Sequence, residues 1–506
     1  MTMFEDTGGS VTNTRRVYPL DAHDLTEEQI AVAFAMTSRR PEPFDEIAQQ
    51  VSQEKAADFH ERWVLGYGHA SVAEHAVVHL AVESISRLAC DALEDNRLAS
   101  YTEKSSRYQV IAPGQYYFPQ ELEKEPKLGK LYQGTCHRLF EGYQELIDSC
   151  MDHLSSHNPQ REKERDSTYN LRLRRIATDS CRAVLPAATL TNVGVTANAR
   201  VLEHAISKLR SSELDEERQL GHELREQGQK IAPTLIKYAD RNLFLAGISG
   251  TQQAMSRGHL SETVGVSSTD KQGLGVSPAS EASPPTGSSS SSAKVHLVHW
   301  DRQAEDKLAA ALLYRHSGLA YDQVWQRVLE MSPENKQEIL DWCFVDLGHH
   351  DSAVRESELV DYTFEFVLDY GAYREFKRHR MMSYLPQPLT TDLGYQVPDL
   401  LVEAGLKERF HEVVAHAENA FRAVHSYSPL VAQYLVTHAH FRRVLAKMNL
   451  RECYHLFKLR TSELAHFAIR EPVLQAMKLA VDIHPGLFRH LPLRDYPQWW
   501  PFERPE

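Results

Sequence analysis

NRLASYTEKSSRY, from Asn96 to Tyr108, has a counterpart in HRMMSYLPQPLTT, from His379 to Thr391. Three further pairs stand in the same order along the chain. AVAFAMTSRRPEPFDEIAQQV (Ala31 to Val51) answers to AAALLYRHSGLAYDQVWQRVL (Ala309 to Leu329), and GHASVAEH (Gly68 to His75) to HHDSAVRE (His349 to Glu356). TANARVLEHAISKLR (Thr196 to Arg210) answers to KMNLRECYHLFKLR (Lys447 to Arg460). Amphipathic helices produce one such likeness by chance. Four in one order mean a duplicated unit.

Between the copies, from Thr251 to Ser292, apolar periodicity is lost. Ser, Gly and Pro dominate, and the stretch ends in the serines from Ser288 to Ser292. Burial there cannot compensate the entropy lost on ordering, so the stretch reads as a flexible linker. The expected organisation is a first domain over 15–248, a disordered linker over 249–293 and a second domain over 294–506. Each copy mixes two periods. Val78, Leu80 and Val82 alternate with other residues, as do Tyr362, Phe364, Phe366 and Leu368, and both runs read as strands. Short helices are expected next, over Ser86 to Arg97 and Gly371 to Arg380. Longer ones follow over Leu131 to Leu154 and Glu403 to Val424. The fold class is therefore α+β, a small sheet packed on several helices, built twice.

Composition narrows the function. The 506 residues carry 56 Lys and Arg against 69 Asp and Glu, a net charge of −13. Binding nucleic acid by bulk positive charge is not expected of such a chain. A local basic pocket for a small phosphate ligand remains open. No apolar run is long enough to span a bilayer, and the polar stretch from Met1 to Arg16 has no apolar signal core, so no membrane partner and a cytoplasmic location are expected. Cys90, Cys136, Cys150, Cys181, Cys343 and Cys453 form no CxxC pair and read as small, mostly buried side chains. His75 and His79, or His438 and His440, lack a third ligand in view, so no metal site is expected. The charged run Arg161 to Arg175 reads as a solvated helix face. Trp499 and Trp500 read as packing residues. The first copy is longer than the second between Tyr108 and Arg182.

Arg378-His379-Arg380 is the sharpest local feature, a cationic triplet able to hold a phosphate or an anionic ring. With its surroundings, the chain resembles the flavin-dependent thymidylate synthases. Their Arg-His-Arg signature is matched by Arg378, His379 and Arg380, with Ser383 in the spacer. Its phosphate-binding end is matched in the first copy by Arg97, Ser100, Glu103, Ser105, Arg107 and Tyr108. A His-x-Thr/Ser-x-x-Glu-His segment is matched by His69, Ser71, Glu74 and His75. Arg182, Val184, Leu185 and Pro186 match an Arg-x-Val-Leu-Pro segment. Asn449, Arg451, Leu459, Arg460, Ile469 and Arg470 match the late Asn-x-Arg and Leu-Arg pattern.

Each copy departs from that pattern. Asp95 and Asn96 stand where the first copy should carry Arg and His. Pro388, Thr390 and Gln433 stand where the second should carry Ser, Arg and Arg, and Arg355 stands where the first copy has Glu74. The losses are complementary. The resemblance implies FAD-dependent reductive methylation of dUMP to dTMP, with methylenetetrahydrofolate as carbon donor and NADPH as reductant. It further implies substrate binding by Glu103, Ser105, Arg107 and Arg182. Arg460 would stabilise charge on the uracil ring. FAD would be held by Arg378, His379 and Arg380, with His69, Ser71, Glu74, His350, Asn449 and Arg451. Family members are homotetramers with sites between subunits, so a homodimer forming a pseudo-tetramer is expected, with composite sites that take one wall from each copy.

Overall fold

The computed structural model describes residues 16, 18–20, 24–260 and 294–504. In the first copy the principal elements are β1 (Val77–Ser86), α1 (Arg87–Leu93), β2 (Ala99–Glu103), α2 (Pro126–His157), α3 (Asp166–Cys181), β3 (Leu190–Asn198), α4 (Ala199–Arg210) and α5 (Leu243–Leu260). In the second they are β4 (Lys294–Trp300), β5 (Asp361–Asp369), α6 (Tyr370–Phe376), β6 (Ser383–Pro386), α7 (Lys407–His425), β7 (Phe441–Asn449) and α8 (Leu450–Arg460).

The duplication is visible in the pairing. The first sheet runs β1-β3-β2 and the second β4-β5-β7-β6, with every neighbour antiparallel. Val77 pairs with Asn198 as Asp361 pairs with Asn449, and Ser100 pairs with Thr196 as Ser383 pairs with Lys447. The caps repeat as well. Asn198 and Asn449 each accept a backbone N–H of the following helix at 2.9 Å. Ser86 accepts from Ala89 at 2.9 Å and Asp369 from Ala372 at 2.6 Å, which starts α1 and α6 at equivalent points. The copies are thus α+β units of one design. The extra length of the first lies in α2, 32 residues against 19 in α7, and in α3, 16 residues against a four-residue turn, Pro429–Ala432.

Three expectations need adjustment. Helices α1 and α6 stop at Leu93 and Phe376 because β2 and β6 follow within a few residues, so Arg378-His379-Arg380 lies beyond its helix and not within its last turn. Helix α5 continues to Leu260, into the stretch read as linker, where Gln252, Gln253, Ala254 and Met255 favour helix. The rest of that stretch, 261–293, lies outside the described residues. Cys343 is half-buried, whereas the other five cysteines are buried. Among the described residues no helix is long and apolar enough to cross a membrane. Trp500 is buried and Trp499 packs beside it on the second copy's core.

The two copies are joined through equivalent segments. Ala187 and Ala188 donate to the carbonyls of Val436 and Tyr434, both at 2.8 Å, while His438 and Ala439 donate to Leu185 and Ala183 at 3.0 and 2.8 Å. Helices α2 and α7 pack beside this seam. Leu139, Tyr143 and Leu146 of one share a core with Phe410, Val413 and Ala417 of the other. At their closest approach a Cβ on Gly142 would sit 2.5 Å from Val413 Cγ2, so only glycine fits there.

Charge meets charge where α1 faces α6. Lys377 Nζ lies 2.8 Å from Asp91 and 3.1 Å from Glu94, and all three side chains are at most a tenth exposed. Glu103 of β2 pairs with Arg87 of its own copy and Arg374 of the other. Burial raises the carboxyl of Glu103, but Arg374, Arg87 and Lys377 outweigh that and hold it at about 2. Lys377 is likewise lowered by burial and then raised above its ordinary value by Asp91 and Glu94. Replacing Lys377 with Met leaves two carboxylates buried without this cation. A buried pair broken from one side costs about 3–5 kcal/mol, so the urea midpoint of Lys377→Met should fall accordingly. The triple variant Asp91→Asn/Glu94→Gln/Lys377→Met should recover most of it. A loss below about 1 kcal/mol in Lys377→Met would show that water reaches the pair. Glu103 carries a pH consequence with a definite sign. Its pKa is depressed, so its contribution is complete above the unfolded value of 4.5 and is lost as pH falls toward 2.

Candidate functional site

The seam brings the N-terminal copy's arginines to the second copy's triplet. Arg107 follows β2 and is braced by its own N–H, which donates to Ser105 Oγ at 3.2 Å. Its Nε and Nη2 donate to the two oxygens of Asp179, at the end of α3, both at 3.0 Å. Arg182 begins the turn after α3. It is buried, 3.2 Å from Asp179 Oδ1, and donates to Ser106 Oγ at 3.3 Å. From the other copy Glu375 of α6 enters between them, 3.8 Å from Arg107 and 3.7 Å from Arg182. Arg460, the last residue of α8, donates to Glu375 Oε2 at 3.1 Å and through Nε to His379 Nε2 at 3.0 Å. Three guanidinium groups from both copies therefore form one cradle.

The contacts of His379 define its tautomer. Nε2 accepts from Arg460, so Nδ1 carries the proton and donates to Glu452 at 3.1 Å. Burial lowers its pKa despite Glu452, with Arg460 adding to the effect, and the ring stays neutral. Behind the cradle, Asp179, Arg182, Asp369, His438, His466 and Gln396 line a small cavity. Burial raises Asp369 to about 7, against the helix N–H it caps and against Arg182. Burial and Arg182 push His466 down to about 3.

Two larger hollows flank the cradle. One, of about 570 Å³, is lined by His350, Asn449, Arg451, Glu452, His455 and Lys458. Glu452 and the ring of His455, 5.3 Å from that of His379, connect it to the cradle. The other, of about 280 Å³, lies across the seam between Tyr101, Thr102 and Glu103 of one copy and Lys377, Arg378 and Arg380 of the other. Arg378 is more than half exposed there, and Arg380 Nη1 is buried without a hydrogen-bond partner. The walls of the two hollows also carry Glu94, Glu103, Asp351, Glu358 and Glu452, so they are of mixed charge. They offer Arg378, Arg380, Arg451 and Lys458 as cations, an orphaned donor and several imidazoles.

The structure thus brings Ser105, Arg107 and Arg182 together with His379 and Arg460, and sets His350, Asn449 and Arg451 in the adjoining hollow. Other expected residues are placed differently. Glu103 Oε1 pairs with Arg87 and Arg374 at the seam and so stabilises the joint, while Oε2 lies 3.8 Å from Arg378 at the wall of the smaller hollow. Asn449 Oδ1 caps α8, and Arg451 is paired with Glu358 at 2.6 Å. His69, Ser71 and Glu74 belong to a turn that packs on helix Glu27–Met36, β3 and α4, all within the first copy. There Glu74 pairs with Arg200, and His69 packs against Trp63. They do not reach the cradle, because the seam joins the copies at the opposite end of β3. Asp179, Glu375, Asp369, Glu452, His438 and His466 were not expected. Two of them had a signal, since Asp179 and Glu375 each precede an arginine, Arg182 and Arg378, by three residues. Cys90, Glu94 and Glu103 cluster closely enough for a metal ion, but Arg87, Arg374 and Lys377 already neutralise that cluster.

Two copies of one α+β unit that lend side chains to a shared cationic cradle define a tandem, internally dimeric protein. The sequence profile described as thymidylate synthase complementing protein matches it twice, over residues 20–234 and 297–486. The chain belongs to this family. A UPF0159 protein of Chlamydia muridarum is 30% identical over 450 residues, covering 88% of this chain and 82% of the relative. A UPF0159 protein of Thermoplasma acidophilum is 27% identical over 481 residues, covering 88% of this chain and 91% of the relative. A flavin-dependent thymidylate synthase of Clostridium tetani is 26% identical over 213 residues, which is 42% of this chain and 82% of the relative. The first two relatives span both copies. The third has the length of one.

Asp369 supplies a test of the geometry. Its raised pKa means the folded chain keeps a proton that the unfolded chain releases, so Asp369 lowers stability as pH climbs from 3.8 to about 7. Asp369→Asn keeps the helix cap without that charge. Relative to wild type it should gain about 1 kcal/mol or more between pH 4 and pH 8, read from urea unfolding at the two pH values. An equal stability difference at both would place Asp369 in contact with water.

Proposed function

We propose that the cradle carries out flavin-dependent reductive methylation of a uracil ring, at one composite site per chain. The observation that supports this reading most is the meeting of Arg107 and Arg182 from one copy with Arg460 and His379 from the other. The neighbouring family of flavin-dependent thymidylate synthases points to FAD as cofactor, methylenetetrahydrofolate as carbon donor and NADPH as reductant, and to dUMP as the uracil compound. FAD would supply the hydride chemistry. The chain's own residues bind and polarise. Arg460, largely withdrawn from water, would face the uracil oxygens and stabilise negative charge as the ring is activated. His379, fixed as the neutral Nδ1–H form, holds Arg460 in place through Nε2. Arg107 and Arg182 would fix the far end of the substrate. Arg378, Arg380, Arg451 and His350 would hold the cofactor along the two hollows. In a homodimer, two such chains would reproduce a four-unit assembly.

A second reading, a flavin-binding protein without turnover, draws on the carboxylates that already sit among the arginines. One experiment separates the two. Purified protein titrated with FAD should bind about one per chain, with Arg378→Ala weakening it about tenfold. Arg460→Ala should keep FAD and lower methylation about 10²-fold or more. FAD bound with no product from any uracil compound selects the second reading. No FAD binding at all removes both.

A further inference from the structure

Four arginines are buried among the described residues, Arg87, Arg182, Arg374 and Arg442. Arg87 and Arg374 pair with Glu103, and Arg182 with Asp179. Arg442 of β7, only 9% exposed, forms no ion pair among the described residues. Its Nε donates to the Gln387 carbonyl at 2.7 Å, and its guanidinium lies 4.4 Å from the centre of the Tyr373 ring. No acceptor among the described residues meets its two terminal nitrogens. A buried charge in that state is costly until something accepts from it.

Arg442 lines a hollow of about 580 Å³ that shares no residue with the cradle. That volume suits one small molecule. Leu88, Tyr373 and Tyr384 supply apolar and aromatic walls, and helix α5 borders them with Leu245, Ala246 and Ile248. The acids there are largely answered. Asp91 is held by Lys377 at 2.8 Å and Asp95 by Lys208 at 2.5 Å. Burial pushes Glu217 up to about 7, and Glu213 is exposed. Arg442 is left as the buried cation of the hollow without a counter-ion. It also belongs to one copy alone. With Asn449 matching Asn198 and Asp369 matching Ser86, Arg442 and Tyr373 match Thr191 and Cys90 of the first copy.

We propose that this hollow is a second binding site, separate from the cradle, for a small aromatic monocarboxylate. The carboxylate accepts from the terminal nitrogens of Arg442 in the planar two-point geometry that guanidinium favours. The ring lies among Tyr373, Tyr384, Leu88 and Ile248. One free cation matches a single negative charge. A phosphate monoester carries about −1.5 to −2 at pH 7, and its second charge would enter a hollow that already holds Asp95, Glu213 and Glu217. The site does not depend on the methylation reading.

Isothermal titration of the full chain with 2-naphthoate, 2-naphthamide and 2-naphthyl phosphate tests it. About one 2-naphthoate should bind per chain, with the uncharged amide about tenfold weaker and the phosphate no tighter than the carboxylate. Arg442→Gln should weaken 2-naphthoate about tenfold. Ile248→Trp, a change on an exposed helix, should fill the hollow and block binding, which keeps the test decisive should Arg442→Gln fold poorly. Arg460→Ala, in the cradle, should bind 2-naphthoate as wild type does. Tighter binding of the phosphate, an affinity unmoved by both hollow variants or lowered by Arg460→Ala, or no binding by wild type, overturns the proposal.

Discussion

Opposite charges on equivalent helices hold the copies in register. Helices α1 and α6 occupy the same place in their units, yet the first copy carries Asp91 on α1 and Glu94 just past its end where the second carries Arg374 on α6 and Lys377 just past its end. Facing each other, they neutralise. Two first copies set against each other here would bring Asp91 and Glu94 against their own like, and two second copies Arg374 and Lys377 against theirs, which repulsion and desolvation both oppose. Electrostatics therefore favours the pairing of unlike copies at this contact. The backbone bonds of Ala183–Ala188 with Tyr434–Ala439, the α2–α7 core and the cradle all follow from that one orientation.

The same relation explains why one of the two possible cradles is built and the other is not. The counterparts of Arg182 and Glu375 are Gln433 and Ala92. Both line a different hollow, of about 580 Å³, together with Leu88, Tyr373, Tyr384 and Pro386. Gln433 Oε1 there accepts the Leu389 N–H at 2.9 Å, a structural duty in place of an anion contact. Arg210, the counterpart of Arg460, turns outward to Asp240 at 2.7 Å. Helix α5 approaches the hollow with Leu245, Ala246 and Ile248. The second place has become a mixed recess, where Leu88, Tyr373 and Tyr384 stand beside Asp91, Asp95, Glu213, Glu217, Lys208 and Arg442, and the three-arginine cradle is built at the first.

Much of this could be read from the chain alone, for identifiable reasons. The strands show because Tyr362, Phe364, Phe366 and Leu368 alternate toward one core. The duplication shows because caps and turns recur in order. Arg107, Arg182 and Arg460 could be nominated because each half keeps what the other lost. What sequence could not supply was the seam. Glu103 shows by motif as a pocket residue, but its second role as a buried ion of the joint does not, since Arg374 reaches it only once the copies meet. Glu375 and Asp179 look like ordinary helical acids until three arginines are placed around them. His69, Ser71 and Glu74 keep a family pattern at the end of β3 that the seam leaves apart.

The glycine contact between α2 and α7 has an evolutionary side. In a ring of identical subunits every residue at a symmetric contact changes in all copies at once, so a large Val413 facing a bare Gly142 could not arise in one step without also altering its mirror position. Here the two sides of the contact are separate codons. Each can be exchanged alone, one growing while the other shrinks, and the interface can drift into shapes that a self-paired protein could not reach.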